Sequence, residues 1–311
     1  MWLITGGAGY IGSHVVEAMS EASIEVIVLD NLRNGIRKRV KHDITFVEGD
    51  ICSRSDIEKL LGSYNIHGVI NLAALKSVDE SRKIPEEYER VNHQGVLNLL
   101  TCLIKFNVEN FIQSSSAAVY GNSESRFVDE NSALSPISPY GLTKVEAENE
   151  VNNFVSSGNG RGISLRYFNV LGSSSRNLRD NSKANIVPMV LNDLASGVQP
   201  QIFGDDYPTK DGTCIRDYVH VCDIAKAHVL AAQALESAAL PPALNIGTGK
   251  GYSVREVMDE IIMQVKSPLR PKVVSRREGD PAELVANVDL AREALGFSAR
   301  MSLGEMISSA I

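Results

Sequence analysis

The run Thr5-Gly-Gly-Ala-Gly-Tyr-Ile-Gly12 follows the apolar residues Trp2 to Ile4 and precedes an amphipathic stretch, placing glycines at Gly6, Gly9 and Gly12. At a strand-to-helix turn such glycines let the backbone approach a pyrophosphate whose charge rests on the helix N-terminus, and the last one lets helix and strand pack closely. A second apolar run ends in Leu29-Asp30-Asn31. A carboxylate there can accept both ribose hydroxyls of NAD and would repel the 2′-phosphate of NADP, so NAD is the expected cofactor. Arg33, Arg37, Lys38 and Arg39 pull the other way, because an Arg beside the ribose accommodates a 2′-phosphate; a solvated charge run explains them as well. Asp50-Ile51, after a third apolar run, would reach the adenine edge, although a helix N-cap is an equally cheap reading of that Asp.

Short apolar runs continue to alternate with amphipathic stretches, the mark of βα units around a parallel sheet. Strands are expected at Trp2 to Thr5, Ile24 to Leu29, Thr45 to Val47, Val69 to Leu72, Phe111 to Ser114 and Ile163 to Tyr167, rich in Val, Ile and Leu as doubly covered strands must be. The fold class is α/β, a Rossmann-type doubly wound parallel sheet with a smaller mixed α/β substrate domain. Polar residues from Gly172 to Asn185 suggest the boundary: residues 1–171 form the NAD-binding domain and 172–311 the other. The helical pattern Val221 to Glu236 and the run Ala243 to Gly247 indicate that 218–247 returns to the sheet.

A net charge of −7 gives no general attraction to nucleic acid or anionic lipid, so neither is an expected partner. Cys52, Cys102, Cys214 and Cys222 are scattered, which fits a reducing compartment. With a glycine loop starting at Gly6 there is no room for a signal peptide, and no apolar run reaches membrane-spanning length; the expected location is the cytoplasm. The six histidines lack paired ligand spacing, so no metal is expected, and Cys214, His220 and Cys222 read better as structural.

Tyr140 and Lys144 stand four apart on a stretch that Pro139 suits as a helix start, and so share one helix face. A cation beside a phenol favours the phenolate and pulls its pKa down from about 10, which would make Tyr140 a general base. Ser116 ends Phe111-Ile-Gln-Ser-Ser-Ser116, past a strand C-terminus where open sheets bind ligands, and can bond the same substrate oxygen. A lone Tyr-x-x-x-Lys reads plainly as an exposed helix pair, but three signals in chain order on the elements the chemistry needs are much rarer.

On these residues the chain resembles the extended short-chain dehydrogenase/reductases, and within them the NAD-dependent UDP-galactose (UDP-glucose) 4-epimerases, nearly end to end. Narrower matches are Leu75-Lys76, Arg166-Tyr-Phe-Asn169, Phe203-Gly-Asp-Asp-Tyr-Pro-Thr209, Asp211-Gly-Thr213, Arg216-Asp-Tyr-Val-His220 and Arg276-Arg-Glu-Gly-Asp280. The resemblance implies that Tyr140, with Ser116, takes the sugar 4-hydroxyl proton as the C4 hydride moves to NAD, and that the 4-keto sugar turns over and takes the hydride back. It implies a cofactor set of Gly6, Gly9, Tyr10, Ile11, Gly12, Asp30, Asn31, Asp50, Ile51, Leu72, Ala73, Ala74, Lys76, Asn92, Ser114, Tyr140, Lys144, Tyr167 and Phe168. On the UDP-sugar side it implies Lys76, Ser116, Tyr140, Asn169, Asn185, Ile186, Phe203, Arg216, Tyr218, Arg277, Asp280 and Leu284. Two arginines can clamp a diphosphate and Asp280 can accept from ribose hydroxyls. A homodimer is also implied, with helices Asn92 to Phe106 and Pro139 to Val155 as candidates.

The segment before Asn185 is shorter than in many relatives, and Leu284 stands where some carry a bulky Tyr, which leaves room for a 2-acetamido group. Dehydratases and decarboxylases of this kind carry acidic residues after the position of Ser116; here Ala117 and Ala118 cannot shuttle a proton. A UDP-uronate 4-epimerase and a non-catalytic NAD-dependent regulator remain as alternatives.

Overall fold

In a computed structural model the chain is described at residues 1–123, 125–182, 185–277 and 279–311; Lys183, Ala184 and Glu278 of the motifs above lie outside the described residues. The first half runs β1 (Trp2–Thr5), α1 (Tyr10–Glu21), β2 (Val26–Asp30), β3 (Thr45–Glu48), α2 (Arg54–Ser63), β4 (Gly68–Asn71), α3 (Val78–Ser81), α4 (Pro85–Tyr88), α5 (Gly95–Phe106), β5 (Asn110–Ser116), β6 (Phe127–Val128), α6 (Pro139–Ser156) and β7 (Arg161–Tyr167). The second runs β8 (Asn169–Leu171), α7 (Ile186–Ala195), β9 (Gln201–Phe203), β10 (Ile215–His220), α8 (Val221–Leu235), β11 (Ala243–Ile246), β12 (Gly251–Ser253), α9 (Val254–Val265), β13 (Lys272–Val274), β14 (Glu283–Ala286), α10 (Asp289–Leu295) and α11 (Leu303–Ala310).

Seven strands form one parallel sheet in the order β11-β7-β5-β4-β1-β2-β3. The order reverses at β1, which opens the crevice where a doubly wound sheet binds its ligand. Alternate side chains serve opposite faces: Trp2, Ile4 and Val28 pack with α1 and α8, whereas Leu3, Ile27 and Leu29 pack with α2, α5 and α6. Strands β12, β10, β14 and β6 form a second sheet, with β8 paired to β10, and β13 pairs β9.

The expected strand starting at Ile24 begins two residues later. Ser23 turns left-handed at φ 59° and Ile24 N–H bonds the Met19 carbonyl at 2.9 Å, so Ile24 still belongs to the turn that closes α1. The helix expected from Asn92 is π-helical over Glu89–Gln94 and becomes α-helical only at Gly95.

The sheet is tied to α8 by a buried polar contact: the Tyr167 hydroxyl meets His228 Nε2 at 2.7 Å, while His228 Nδ1 lies 2.9 Å from the Ile224 carbonyl. A carbonyl only accepts, so Nδ1 carries the proton and Nε2 accepts from the phenol. Burial lowers the imidazole from 6.5 to about 4. The unfolded chain therefore takes up a proton that the fold refuses, and stability is lost as pH falls from about 6.5 toward 4. Gln at this position can make both bonds without titrating; melting curves of His228→Gln are expected to decline less steeply over that window than wild type, and parallel declines would refute the assignment.

Candidate active site

An open cleft lies at the C-terminal edge of the sheet, lined by Gly6, Gly9, Asp30, Asn31, Asp50, Ile51, Leu72, Ala73 and Ala74 from the expected cofactor set. Gly6 adopts φ +70°, and a Cβ at Gly12 would sit 2.1 Å from the Gly6 carbonyl oxygen, so side chains are excluded where α1 leans on the loop. Gly9 caps α1 without a side-chain bond, and no acidic residue occupies the first turn, which leaves the positive helix end to an anion. These features fit a dinucleotide pyrophosphate.

Asp30 accepts from the Ala8 N–H at 2.9 Å and the Leu32 N–H at 2.8 Å, one on each oxygen, and each oxygen keeps a lone pair for a ribose hydroxyl. Burial raises its pKa, with these two bonds opposing the rise. Three of the four cations that complicated the NAD reading have protein partners. Arg33 lines the cleft but pairs with Glu87, Arg37 stacks 4.5 Å from the Phe46 ring centre, and Arg39 donates to the Arg179 carbonyl at 2.6 Å. Asp50 is not the cap of α2, since Ser53 accepts from the Asp56 N–H there. Asp50 instead accepts from Cys52 N–H at 2.8 Å and Asn31 Nδ2 at 3.1 Å, which joins two expected residues on the cleft wall.

Ser138 caps α6 by accepting from the Gly141 N–H at 3.1 Å, and Pro139 occupies its first turn. Tyr140 and Lys144 follow on successive turns. The Lys144 ammonium donates to the Ser114 carbonyl at 2.9 Å and lies 5.8 Å from the Tyr140 ring centre; burial lowers it to about 8, with Glu148 opposing. Tyr140 shares a hydrogen bond with Ser116, yet its pKa is raised, because loss of solvent outweighs that bond. The expectation that the neighbouring Lys144 pulls the phenol down is not met here: burial raises Tyr140, and the ammonium faces the Ser114 carbonyl and the ring.

Other expected cofactor residues turn toward protein. Asn92 accepts from the Leu75 N–H at 2.8 Å and donates to the Leu75 carbonyl at 2.9 Å and Thr143 Oγ1 at 3.3 Å, so it ties the cleft wall to α6. The Tyr10 hydroxyl donates to the Gly172 carbonyl at 2.5 Å, Ile11 packs into the core beneath α1, and Phe168 packs 6.4 Å from the Tyr120 ring. Lys76 lies 4.0 Å from Asp180 and 5.9 Å from the Tyr10 ring centre.

On the expected sugar-nucleotide side, Arg216 and Asp280 pair with each other at 2.7 Å, Tyr218 is buried beside Arg216, and Arg277 stacks 4.0 Å from the Phe203 ring centre. Asn169 is exposed on β8 opposite Tyr218 of β10. Asn185 caps α7 and donates to Asp180, with Ile186 following it against the third core cluster. Leu284 packs with Ala117 and Phe168. Cys214 approaches Asp280 at 3.9 Å, and His220 caps α8 through the Cys222 N–H, so those two are structural partners of their neighbours. Sequence reasoning missed Asn34, Gly35, Gly49, Leu75 and Val91 as cleft residues. The Asn34-Gly35 turn signal directly after the strand carrying Asp30 was the available clue.

The family model described as NAD dependent epimerase/dehydratase family matches residues 2–247. The UDP-glucose 4-epimerase of Halalkalibacterium halodurans is 38% identical over 314 residues, covering 99% of this chain and 93% of that one. A crystal structure of UDP-glucose-4-epimerase from Stenotrophomonas maltophila with bound NAD and formylated UDP-arabinopyranose has a TM-score of 0.94 at 36% identity, covering 99% of this chain and 96% of that chain. The Brucella ovis UDP-glucose 4-epimerase in complex with NAD also scores 0.94, at 37% identity, covering 99% and 96%.

Charge-assisted hydrogen bonds are worth about 1.5–3 kcal/mol, so Asp30→Asn is expected to weaken NAD retention about tenfold or more. NAD released from the denatured protein reads the change; undiminished content would mean that the ribose is held by other groups.

Proposed function

Because the chain belongs to the NAD dependent epimerase/dehydratase family, we propose that it inverts C4 of a UDP-hexose, interconverting UDP-glucose and UDP-galactose with NAD bound throughout. The observation that carries this reading is the convergence of Ser116, Tyr140 and Lys144 on one side of α6, which Asn92 joins to the dinucleotide cleft. Ala117 and Ala118 follow Ser116, so the site has no further acid or base there for dehydration or decarboxylation.

Gly6, Gly9 and the start of α1 would hold the pyrophosphate, and Asp30 the adenosine ribose. NAD, when bound, supplies the hydride acceptor and a cationic ring that favours the Tyr140 phenolate. Tyr140 takes the proton of the 4-hydroxyl, Ser116 bonds the same oxygen, and the phenol returns the proton once the 4-keto sugar presents its other face. Lys144 holds its ammonium against the Ser114 carbonyl and would bond the nicotinamide ribose. Arg277 and Arg216 would meet the diphosphate, with Asp280 shared between Arg216 and the uridine ribose.

The proposal extends to organisation. Residues 1–171 with 218–247 form the cofactor domain, supported by β11 pairing with β7 at the sheet edge, and the rest of 172–311 the nucleotide-sugar domain. Two copies pair through α5 and α6, where Ile104, Leu142 and Val155 stand exposed. Among the described residues no helix is long and apolar enough to cross a membrane, and the four cysteines are free, which supports a cytoplasmic location. The reading extends to 2-acetamido sugars, because Leu284 is smaller than the Tyr some relatives carry there.

Purified protein incubated with UDP-galactose and no added cofactor is expected to develop the UDP-glucose anomeric NMR signal. Loss of a general base slows a reaction about 10²–10⁴-fold, so Tyr140→Phe should fall by that factor. Persistent silence after adding NAD would overturn the hexose assignment and favour a uronate substrate, and a Tyr140→Phe protein with full activity would remove Tyr140 as the base. Leu284→Tyr is expected to abolish conversion of UDP-N-acetylgalactosamine while sparing UDP-galactose; equal loss of both would detach Leu284 from sugar selection.

A further inference from the structure

Glu148 lies one turn beyond Lys144 on α6, so Tyr140, Lys144 and Glu148 form a ladder on one helix face. Its carboxylate is bidentate with Arg166, Nε to Oε1 at 2.9 Å and Nη2 to Oε2 at 2.7 Å, and it accepts from the Ser115 hydroxyl at 2.5 Å. The side chains of the pair are 5% and 4% exposed. Ser115 and Arg166 face each other across β5 and β7, and Ser115 stands between Ser114, whose carbonyl receives the Lys144 ammonium, and Ser116. Two successive residues of β5 are thus bolted to two successive turns of α6.

We propose that Glu148 is a positioning residue: with Arg166 and Ser115 it sets the register of α6 on β5 that brings Tyr140 to Ser116, and it keeps Lys144 an ammonium. The inference rests on the epimerase reading above for its kinetic consequences. A buried ion pair replaced by well-packed apolar groups is often no less stable, so what this pair contributes is placement and charge rather than stability. Lys144 is itself 2% exposed, and an isolated buried ammonium tends to give up its proton. Among the described residues Glu148 is the one carboxylate acting on it. The other ionisable groups around this ladder are Tyr140 on α6, Tyr88 from α4, Tyr167 and Arg166 from β7, and Tyr120 after β5, whose hydroxyl accepts from Arg166 at 2.9 Å. Glu130 gives its carbonyl to Arg166 and its carboxylate to the Asn245 N–H at 2.7 Å, and so does not serve Lys144.

The experiment follows Lys144 by NMR of the protein labelled at lysine Cε, assigned by the signal lost in Lys144→Arg, alongside kcat and KM for UDP-galactose across pH. In Glu148→Gln the Lys144 titration and the basic limb of kcat are expected to move together to lower pH, with kcat down about tenfold or more at neutral pH. KM and NAD content should hold within about twofold, while Glu148→Asp, which restores the charge, should bring the limb back. A folded, NAD-loaded Glu148→Gln protein in which Lys144 titrates as in wild type overturns the proposal. Should that variant fail to fold, Ser115→Ala, which leaves both charges in place, is expected to lower kcat several-fold at unchanged NAD content, and wild-type kcat there overturns the register argument. The titration needs no sugar, so a wild-type protein inert toward UDP-galactose would defeat the epimerase reading while leaving the Lys144 measurement to decide this one.

Discussion

The close contact between α1 and the loop that precedes it is the constraint on which the cleft depends. With the Gly6 carbonyl 2.1 Å from where a Gly12 side chain would begin, the helix can lie against the strand end only because nothing projects from either backbone. That approach aims the uncapped end of α1 at the crevice where the sheet order reverses. It also sets Tyr10 so that its hydroxyl reaches the Gly172 carbonyl across the fold, linking the cofactor wall to the segment that leads toward Asp180 and Asn185.

A second constraint carries this geometry to the catalytic side. Thr5, Asn71 and Gln113 are register partners on β1, β4 and β5 and form a buried chain: Thr5 Oγ1 to Asn71 Oδ1 at 2.5 Å, Asn71 Nδ2 to Gln113 Oε1 at 2.9 Å, and Gln113 Nε2 to the Ser114 carbonyl at 2.9 Å. Unpaired polar groups in such a place would be costly, so the chain holds β1, β4 and β5 at one level. The Ser114 carbonyl that ends the chain is also the acceptor of the Lys144 ammonium. The cleft and the Tyr140 site are therefore two ends of one rigid edge.

The parts legible in the sequence were those in which a local pattern has a single physical meaning. Apolar runs of Val, Ile and Leu separated by amphipathic stretches located β1 to β5 and β7 to within two residues, and Ser138-Pro139 located the start of α6. Several side chains were harder, because polarity in a motif does not say which way the group turns. Asn92 and Tyr167 read as ligand groups, and the structure adds hydrogen bonds that tie them to Leu75, Thr143 and His228. Arg216 and Asp280, expected at the ligand, are in addition partners of each other, which their separation along the chain does not show. The phenol of Tyr140 was expected to be acidified by Lys144, and its own loss of solvent proved the larger effect.

By itself the sequence determined the doubly wound class, the glycine loop and its acidic partner, and the Tyr140 and Lys144 pair, since each depends on residues a few positions apart whose geometry a strand end or helix turn dictates. Only the tertiary structure decided what depends on distant segments meeting: Glu87 engages Arg33 across 54 positions, and Asn245, 125 positions on, accepts from the Tyr120 hydroxyl at 2.6 Å. The same holds for the Glu148, Arg166 and Ser115 cluster beneath Lys144. Spacing along the chain specifies a helix face or a strand face, whereas the register between a helix and a strand is set by packing and buried hydrogen bonds that exist only once the sheet has formed.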